Sequence, residues 1–249
     1  MFTAEYRDHV RHHVLEMAKA DPRVTAAAIT GSMAFGPGDT WSDVGVAFGI
    51  ADGNPLEPVL EDWTKGIDQE FGVLDHFDRR TGSWIYRVFL LSSGLQVDVA
   101  VTPAHEFGAR GPNFRALFGT THQLEPISGP EPSSLIGRCW LYLLHTRSCI
   151  ERQRPWQAVS CISDIRETLI ALACIRLGEN PAYGRDVDHL PTTVTDPLRD
   201  TLVRSLDEPE LRRALTATTR CLIAELEHSD PSLSARLKPV LLEFGAPQT

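Results

Sequence analysis

Hydrophobic positions in the first hundred residues follow two different spacings. In two segments apolar residues recur every three or four positions, which is typical of amphipathic helices packed against a core. Shorter apolar runs, bounded by glycine, proline or polar residues, are typical of strands. These patterns predict helices over residues 4–20 and 56–67, and strands over residues 24–30, 44–50, 73–77, 83–91 and 95–101. Because helices and strands are interleaved, we expect a mixed sheet carrying helices.

The pattern changes after the last of these strands. Thr102 is a candidate N-cap, and Pro103 is a candidate first residue of a short helical segment. Residues 114–118 are predicted to form one further helical turn. Residues 123–132 are predicted to be a linker between an N-terminal domain, residues 1–122, and a C-terminal domain, residues 133–249.

Helical spacing alone characterises the C-terminal part of the chain. Long helices are predicted over residues 133–153 and 156–177, with Gly178 at the end of the second. Three more helices are expected after the loop at residues 180–191. The predicted fold class is therefore α+β, with an N-terminal mixed sheet and helices followed by a C-terminal α-helical bundle.

Composition and charge narrow the functional classes. A chain of 249 residues, 42% of them hydrophobic, can bury a sizeable core. No apolar run approaches the roughly 20 residues of a membrane helix, and the N-terminus lacks a signal-peptide pattern, so we expect a cytoplasmic protein without membrane contact. A net charge of -9 argues against general nucleic-acid binding. It would suit a cationic small molecule, but ordinary solubility explains it equally well.

The cysteines show no metal-binding or disulfide pattern. There are five, and no two have Cys-x-x-Cys spacing. They occur within apolar helical patterns, which predicts free, buried thiols. The five are Cys139, Cys149, Cys161, Cys174 and Cys221.

The first strand ends in a pair of residues with possible ligand chemistry, Gly31 and Ser32. A turn of this kind leaves backbone N–H groups available, and a small hydroxyl can join them around a phosphate. The same pair is also common in ordinary turns. By itself it does not distinguish a phosphate site from a structural turn.

Two acidic residues lie at the start of, or within, the predicted strands that follow. Asp43 precedes the second strand, and Asp98 lies within the last one between Val97 and Val99. Burying a carboxylate is costly unless it is paired or binds a cation. Two such acids on one sheet could converge on Mg²⁺, which prefers oxygen ligands. In the alternative interpretation both lie at strand ends and face solvent.

Together, the Gly31-Ser32 turn, Asp43 on the next strand and Asp98 on a later strand resemble the nucleotidyltransferase superfamily with the DNA-polymerase-β-like fold. The resemblance covers about residues 4–107 and is strongest to the small-molecule branch, which contains aminoglycoside and lincosamide nucleotidyltransferases. It implies transfer of a nucleoside monophosphate from a nucleoside triphosphate, the co-substrate, to a hydroxyl of a small-molecule acceptor, with Mg²⁺ as cofactor.

The resemblance also implies a role for each matching residue. Gly31 and Ser32 would contact phosphate. Asp43 would bind metal, and Asp98 would bind metal or act as a base, so that these two acids form the catalytic pair. Apart from the resemblance, we expect the helical C-terminal half to select the acceptor, because ligand sites are common in clefts between domains.

Position 45 departs from the superfamily pattern, which has Asp-x-Asp where this chain has Asp43-Val44-Gly45. Glycine supplies no side-chain oxygen for a metal. Three alternatives follow. The first is an active or weakly active transferase that uses Asp43 and Asp98, which could hold a single metal. The second is a member that binds a nucleotide or ligand without transfer. The third is a site altered for another reaction, with Gly45 natural or introduced. Asp39 lies four residues upstream of Asp43 and is a weaker candidate for the missing acid.

Two further groups are candidates for ligand contacts. Arg147 and Arg154 lie close in sequence to Trp156, and could bind a triphosphate while the indole stacks on a base or sugar. In the alternative interpretation these cations offset a helix dipole and remain solvated. His105 and Glu106 follow the strand of Asp98, so either could lie near the predicted site.

Overall fold

The computed structural model describes residues 2–36, 38–125 and 129–245. The chain divides into two compact units, Met1–Ser128 and Gly129–Thr249. The predicted linker at residues 123–132 includes residues 126–128, which lie outside the described residues.

The first unit is built on a mixed six-stranded sheet. The strand order is β3-β4-β5-β2-β1-β6, and each pair of neighbours is antiparallel except β2 and β5, which are parallel. The elements, in chain order, are α1 (Ala4–Ala20), β1 (Val24–Thr30), β2 (Val44–Ile50), α2 (Leu56–Phe71), β3 (Val73–Thr81), β4 (Trp84–Leu91), β5 (Gln96–Pro103) and β6 (Phe114–Phe118).

The two faces of this sheet carry different residues. Successive side chains on a strand point to opposite faces. Val44, Val46 and Phe48 of β2 belong to the core formed with helices α1 and α2. On the opposite face β2 carries Gly45 and, two residues further on, Ala47. The second face therefore has little side-chain bulk at its centre, and it is the face on which Asp98 lies.

The segment after β5 differs from the prediction. Thr102 and Pro103 are the last residues of β5, and the short 3-10 helix that follows is Ala104–Glu106. The predicted N-cap at Thr102 is therefore wrong. Residues 114–118 form the strand β6, which pairs antiparallel with β1, rather than a helical turn. A five-residue segment gains little from a helix of its own, whereas pairing with β1 satisfies its backbone along a whole strand edge.

The second unit is helical. Its elements are α3 (Pro132–Glu151), α4 (Pro155–Leu177), α5 (Thr192–Arg199), α6 (Glu208–Ser229) and α7 (Pro231–Gly245). Gly178 ends α4 in the left-handed conformation, with φ of 78°. Arg176 of α4 donates two hydrogen bonds, of 2.8 and 2.9 Å, to the buried carboxylate of Glu225 on α6. The predicted α+β class is confirmed.

The cysteines of the second unit are all free thiols. Four are buried and Cys221 is half-buried. Burial raises the pKa of Cys139 to about 12 and that of Cys221 to about 11. Among the helices that the structure describes, none combines the length and apolar character needed to cross a bilayer.

Candidate functional site

The predicted phosphate turn is a 3-10 turn, Gly31–Met33, directly after β1. Gly31 has φ of +76°, a left-handed conformation that glycine adopts without strain. Its N–H donates to the Asn113 carbonyl at 3.1 Å. A Cβ atom built on Gly31 would meet no heavy atom of the described residues within 4 Å, so none of them fills the space in front of the turn. Ser32 is exposed beside that space.

Ser42 connects this turn to the first acid. The Ser32 hydroxyl lies 3.1 Å from the hydroxyl of Ser42, which is buried and directly precedes Asp43. Ser42 also accepts from the Asp39 N–H at 3.0 Å and donates to the Asp39 carboxylate at 3.0 Å. The sequence indicated no separate role for Ser42, yet its hydroxyl fixes the turn relative to Asp43.

The hydrogen bonds of Asp39 hold the loop in place. Its carboxylate accepts from the Trp41 N–H at 2.9 Å as well as from Ser42, and its carbonyl accepts from the buried guanidinium of Arg7. The hydrogen bond from Trp41, followed by that from Ser42, lowers the pKa of Asp39. These bonds describe a loop acid rather than a substitute for the acid missing at position 45.

Asp43 and Asp98 both lie near the side-chain amide of Gln96. The side-chain amide of Gln96 donates to Asp98 at 2.8 Å and reaches Asp43 at 3.5 Å. Both acids are half-buried. Gln96 was not predicted as a site residue, although its position two residues before Asp98 on one strand places both on the same face. Two carboxylates therefore lie beside one amide near the N-terminal ends of the two central strands, β2 and β5.

Asp98 is in an environment that resists ionisation. Burial is the largest cause of its raised pKa, and the charge of Asp43 raises it further. The Gln96 hydrogen bond and the charge of Arg79 act in the opposite direction without cancelling the rise. A cation between the two carboxylates would relieve both the desolvation and the repulsion.

Asp98→Asn is expected to raise the melting temperature near neutral pH in the absence of metal. The folded pKa of Asp98 lies above its unfolded value of about 3.9, so ionisation costs stability as pH rises through that range, and the cost persists above it. Asparagine removes this free-energy cost of ionisation. The difference in melting temperature between Asp98→Asn and the parent should vanish below the unfolded pKa of Asp98. Thermal unfolding across pH, with the exposed Glu61→Gln on α2 as control, measures this. A lower melting temperature for Asp98→Asn at neutral pH would contradict it.

Gly45 lies beside Asp98 in the sheet. It is the register partner of Asp98 in the β2–β5 pair and of Thr30 in the β1–β2 pair. A Cβ at Gly45 would lie 2.8 Å from the backbone oxygen of Thr30 and 2.8 Å from its hydroxyl. Such contacts are too short for real Cβ atoms, and a backbone oxygen cannot move without shifting β1. Thr30 was not predicted, and it closes the space that a third carboxylate would need.

The predicted cationic contacts belong to the second unit. Arg147 lies on α3 with its guanidinium 6.0 Å from the centre of the Phe244 ring, and Arg154 is exposed just before α4. Trp156, in the first turn of α4, is 74% exposed. The contact of Arg147 and Arg154 with a nucleotide stays a prediction.

His105 and Glu106 lie towards the other end of β5. About 16 Å of strand separates Asp98 from Pro103, which precedes them. The Nδ1 atom of His105 is 2.7 Å from the Asp52 carboxylate, and Glu106 accepts from the Ser83 hydroxyl at 2.5 Å. The expectation that either could lie near the paired acids is therefore wrong.

Comparison with protein-family models and with curated proteins found no match. Comparison with solved structures found similarity to the crystal structure of an aminoglycoside 6-adenyltransferase from Bacillus subtilis. The match covers 99% of this chain and 100% of that one, with 11% sequence identity and a TM-score of 0.44.

Proposed function

We propose that the first unit binds a nucleoside triphosphate and transfers its nucleoside monophosphate to a hydroxyl of a small molecule. The observation that carries the proposal is the meeting of Asp43 and Asp98 at the Gln96 amide, beside a turn that Ser42 ties to Asp43. Two carboxylates next to an open Gly-Ser turn offer oxygen ligands and phosphate contacts at one place.

Each residue has a defined part in this proposal. Gly31 and Ser32 bind phosphate through the turn, and the carboxylates of Asp43 and Asp98 would hold Mg²⁺. A bound Mg²⁺ would neutralise charge on the triphosphate. In the transfer, the acceptor oxygen forms a bond to the α-phosphorus as the bond from that phosphorus to pyrophosphate breaks. Asp98 would either share the cation with Asp43 or, if it does not bind the cation, take the proton of the acceptor hydroxyl.

The residues fit one cation better than two. Asp43 and Asp98 supply the carboxylates, while Gly45 supplies none and has no room for one. We therefore propose a site for a single divalent cation. An aminoglycoside-like molecule, which is cationic and rich in hydroxyls, is the proposed class of acceptor, and the net charge of -9 suits it.

Binding without transfer is the second candidate function. Gly45 favours it, because two carboxylates leave a two-cation transfer site incomplete. The turn and the paired acids would then serve only to hold a nucleotide or another ligand.

Pyrophosphate release tests the proposal. The protein is incubated with Mg²⁺, each nucleoside triphosphate and a panel of aminoglycoside-type acceptors, and we expect acceptor-dependent release above that of Asp43→Ala. Release no greater than this control, combined with calorimetric binding of a triphosphate, would support the second candidate instead. Neither release nor binding would contradict both.

A further inference from the structure

The edge strand β3 has an unusual exposed surface. Among the strands that the structure describes, it lies at the end of the sheet and pairs with β4 alone. All of its residues after Val73 are exposed. Phe77 is 56% exposed, and Leu90 on the neighbouring β4 is 46% exposed. Long exposed edges with apolar residues are templates for pairing with another strand.

The β3–β4 hairpin determines which backbone groups of β3 point outward. A two-residue turn, residues 82–83, joins the strands, and Thr81 is paired with Trp84 beside it. In such hairpins the pair flanking the turn is hydrogen-bonded, and hydrogen-bonded pairs then alternate along the strands. The odd-numbered residues from 75 to 81 therefore bond to β4, while the even-numbered ones direct their N–H and C=O groups to the open edge.

One observed hydrogen bond agrees with this assignment. The N–H of His76 donates to the Asp75 carboxylate at 2.8 Å. An N–H directed at β4 would be used in the sheet instead. The carboxylate therefore covers an outward-facing donor, which a second strand could satisfy in its place.

The open edge is self-complementary in one register. When two copies of β3 pair antiparallel about a two-fold axis at Phe77, His76 and Asp78 form the hydrogen-bonded pairs that their outward groups require. Asp75 of each copy then lies opposite Arg79 of the other, and His76 opposite Asp78. The two Phe77 side chains meet at the axis, on the face that also carries Val88 and Leu90.

The neighbouring symmetric registers lack this complementarity. An axis at Asp78 places the two Asp78 carboxylates opposite one another, so like charges meet, although each is also paired with Arg87 of its own chain at 2.7 and 2.8 Å. It places His76 opposite Arg80. An axis at His76 opposes the two histidines and places Asp75 opposite Phe77. Charge therefore selects the register centred on Phe77.

We propose that this protein forms a two-fold symmetric dimer through antiparallel pairing of β3, centred on Phe77, so that the sheet of one copy continues into that of the other. Such an interface is isologous, with the same strand serving both copies. The dimer exchanges the bond between Asp75 and the His76 N–H for strand pairing, and frees Asp75 to meet Arg79 of the second copy. Arg79 also interacts within its own chain, and the pairing shares that side chain. The proposal is independent of the proposed function.

A charge swap tests the register. We expect a dimer for the parent protein in analytical ultracentrifugation. Asp75→Arg and Arg79→Asp should each be folded monomers, because each places like charges opposite one another. The double variant Asp75→Arg/Arg79→Asp should again be a dimer. A monomeric parent at every concentration, single variants that dimerise as well as the parent, or a double variant that stays monomeric would overturn the proposal.

A cysteine placed on the axis gives a second test. In a non-hydrogen-bonded pair the two Cα atoms at position 77 would lie about 4.5 Å apart, within the range of a disulfide. Phe77→Cys should form an intermolecular disulfide under mild oxidation. Asp75→Cys should not, because its two copies would be separated by four residues along the strands, roughly 13 Å. The parent protein, with its native thiols, is the background control. Equal crosslinking of both variants, or none of Phe77→Cys, would overturn the proposal.

Discussion

Replacing Asp43 with asparagine is expected to lower Mg²⁺-dependent transfer by about 100-fold or more. The change keeps the shape of the side chain but removes one of the two carboxylates that meet at Gln96. Loss of a residue that only supports a metal ligand commonly costs 10- to 100-fold, so loss of a ligand should cost at least about as much. Steady-state pyrophosphate release at saturating nucleotide measures the effect.

Asp39→Asn is the matched control for this change. Asp39 lies four residues upstream, and an asparagine oxygen there can still accept from the Trp41 N–H. We expect it to retain most of the parent activity. Equal losses for Asp39→Asn and Asp43→Asn would show that the loop, rather than the carboxylate pair, limits transfer.

The second large effect is expected at Gly45. Gly45→Ala should lower the free energy of unfolding by about 1–3 kcal/mol, the usual cost of forcing extra atoms into a packed site. The added Cβ would meet the Thr30 backbone oxygen and hydroxyl, each at 2.8 Å. Gly45→Asp should be at least as destabilised, and its transfer activity should fall although it restores the superfamily's acid. Urea unfolding and pyrophosphate release measure the two effects.

Two further variants separate local crowding from a general effect of replacing glycine. Gly137→Ala in α3, where the nearest atom is 3.9 Å away, should be neutral or stabilising because alanine favours helix. Thr30→Ala combined with Gly45→Ala should recover part of the loss, since it removes the hydroxyl contact and leaves the backbone contact. A Gly45→Asp protein as stable as the parent and more active would show that position 45 can accept an acid.

Local periodicity made much of the first unit predictable. Apolar runs bounded by breakers located β1 and β2, and three- and four-residue spacing located α1. Asp98 was identifiable because a carboxylate inside an apolar strand needs a reason to be there. The same alternation would have identified Gln96, whose side chain lies on the face of Asp98.

Features that depend on strand pairing could not be predicted from the sequence. Thr30 closes the space beside Gly45 only because β1 and β2 pair in one register, and no local pattern encodes that register. Likewise β6 is a strand because it pairs with the free edge of β1. Tertiary pairing here overrides the local preference of a short segment. His105 lies away from the predicted site because β5 continues for five residues beyond Asp98 before His105 is reached.

The number of divalent cations bound with a nucleotide tests the two-carboxylate site most directly. Mn²⁺ bound per chain can be counted by electron paramagnetic resonance in the presence of a saturating triphosphate analogue that cannot release pyrophosphate. We expect one Mn²⁺ per chain, lost when Asp43 and Asp98 are both replaced by asparagine. Two Mn²⁺ ions per chain, or a single ion that survives both replacements, would contradict a site built from these two carboxylates.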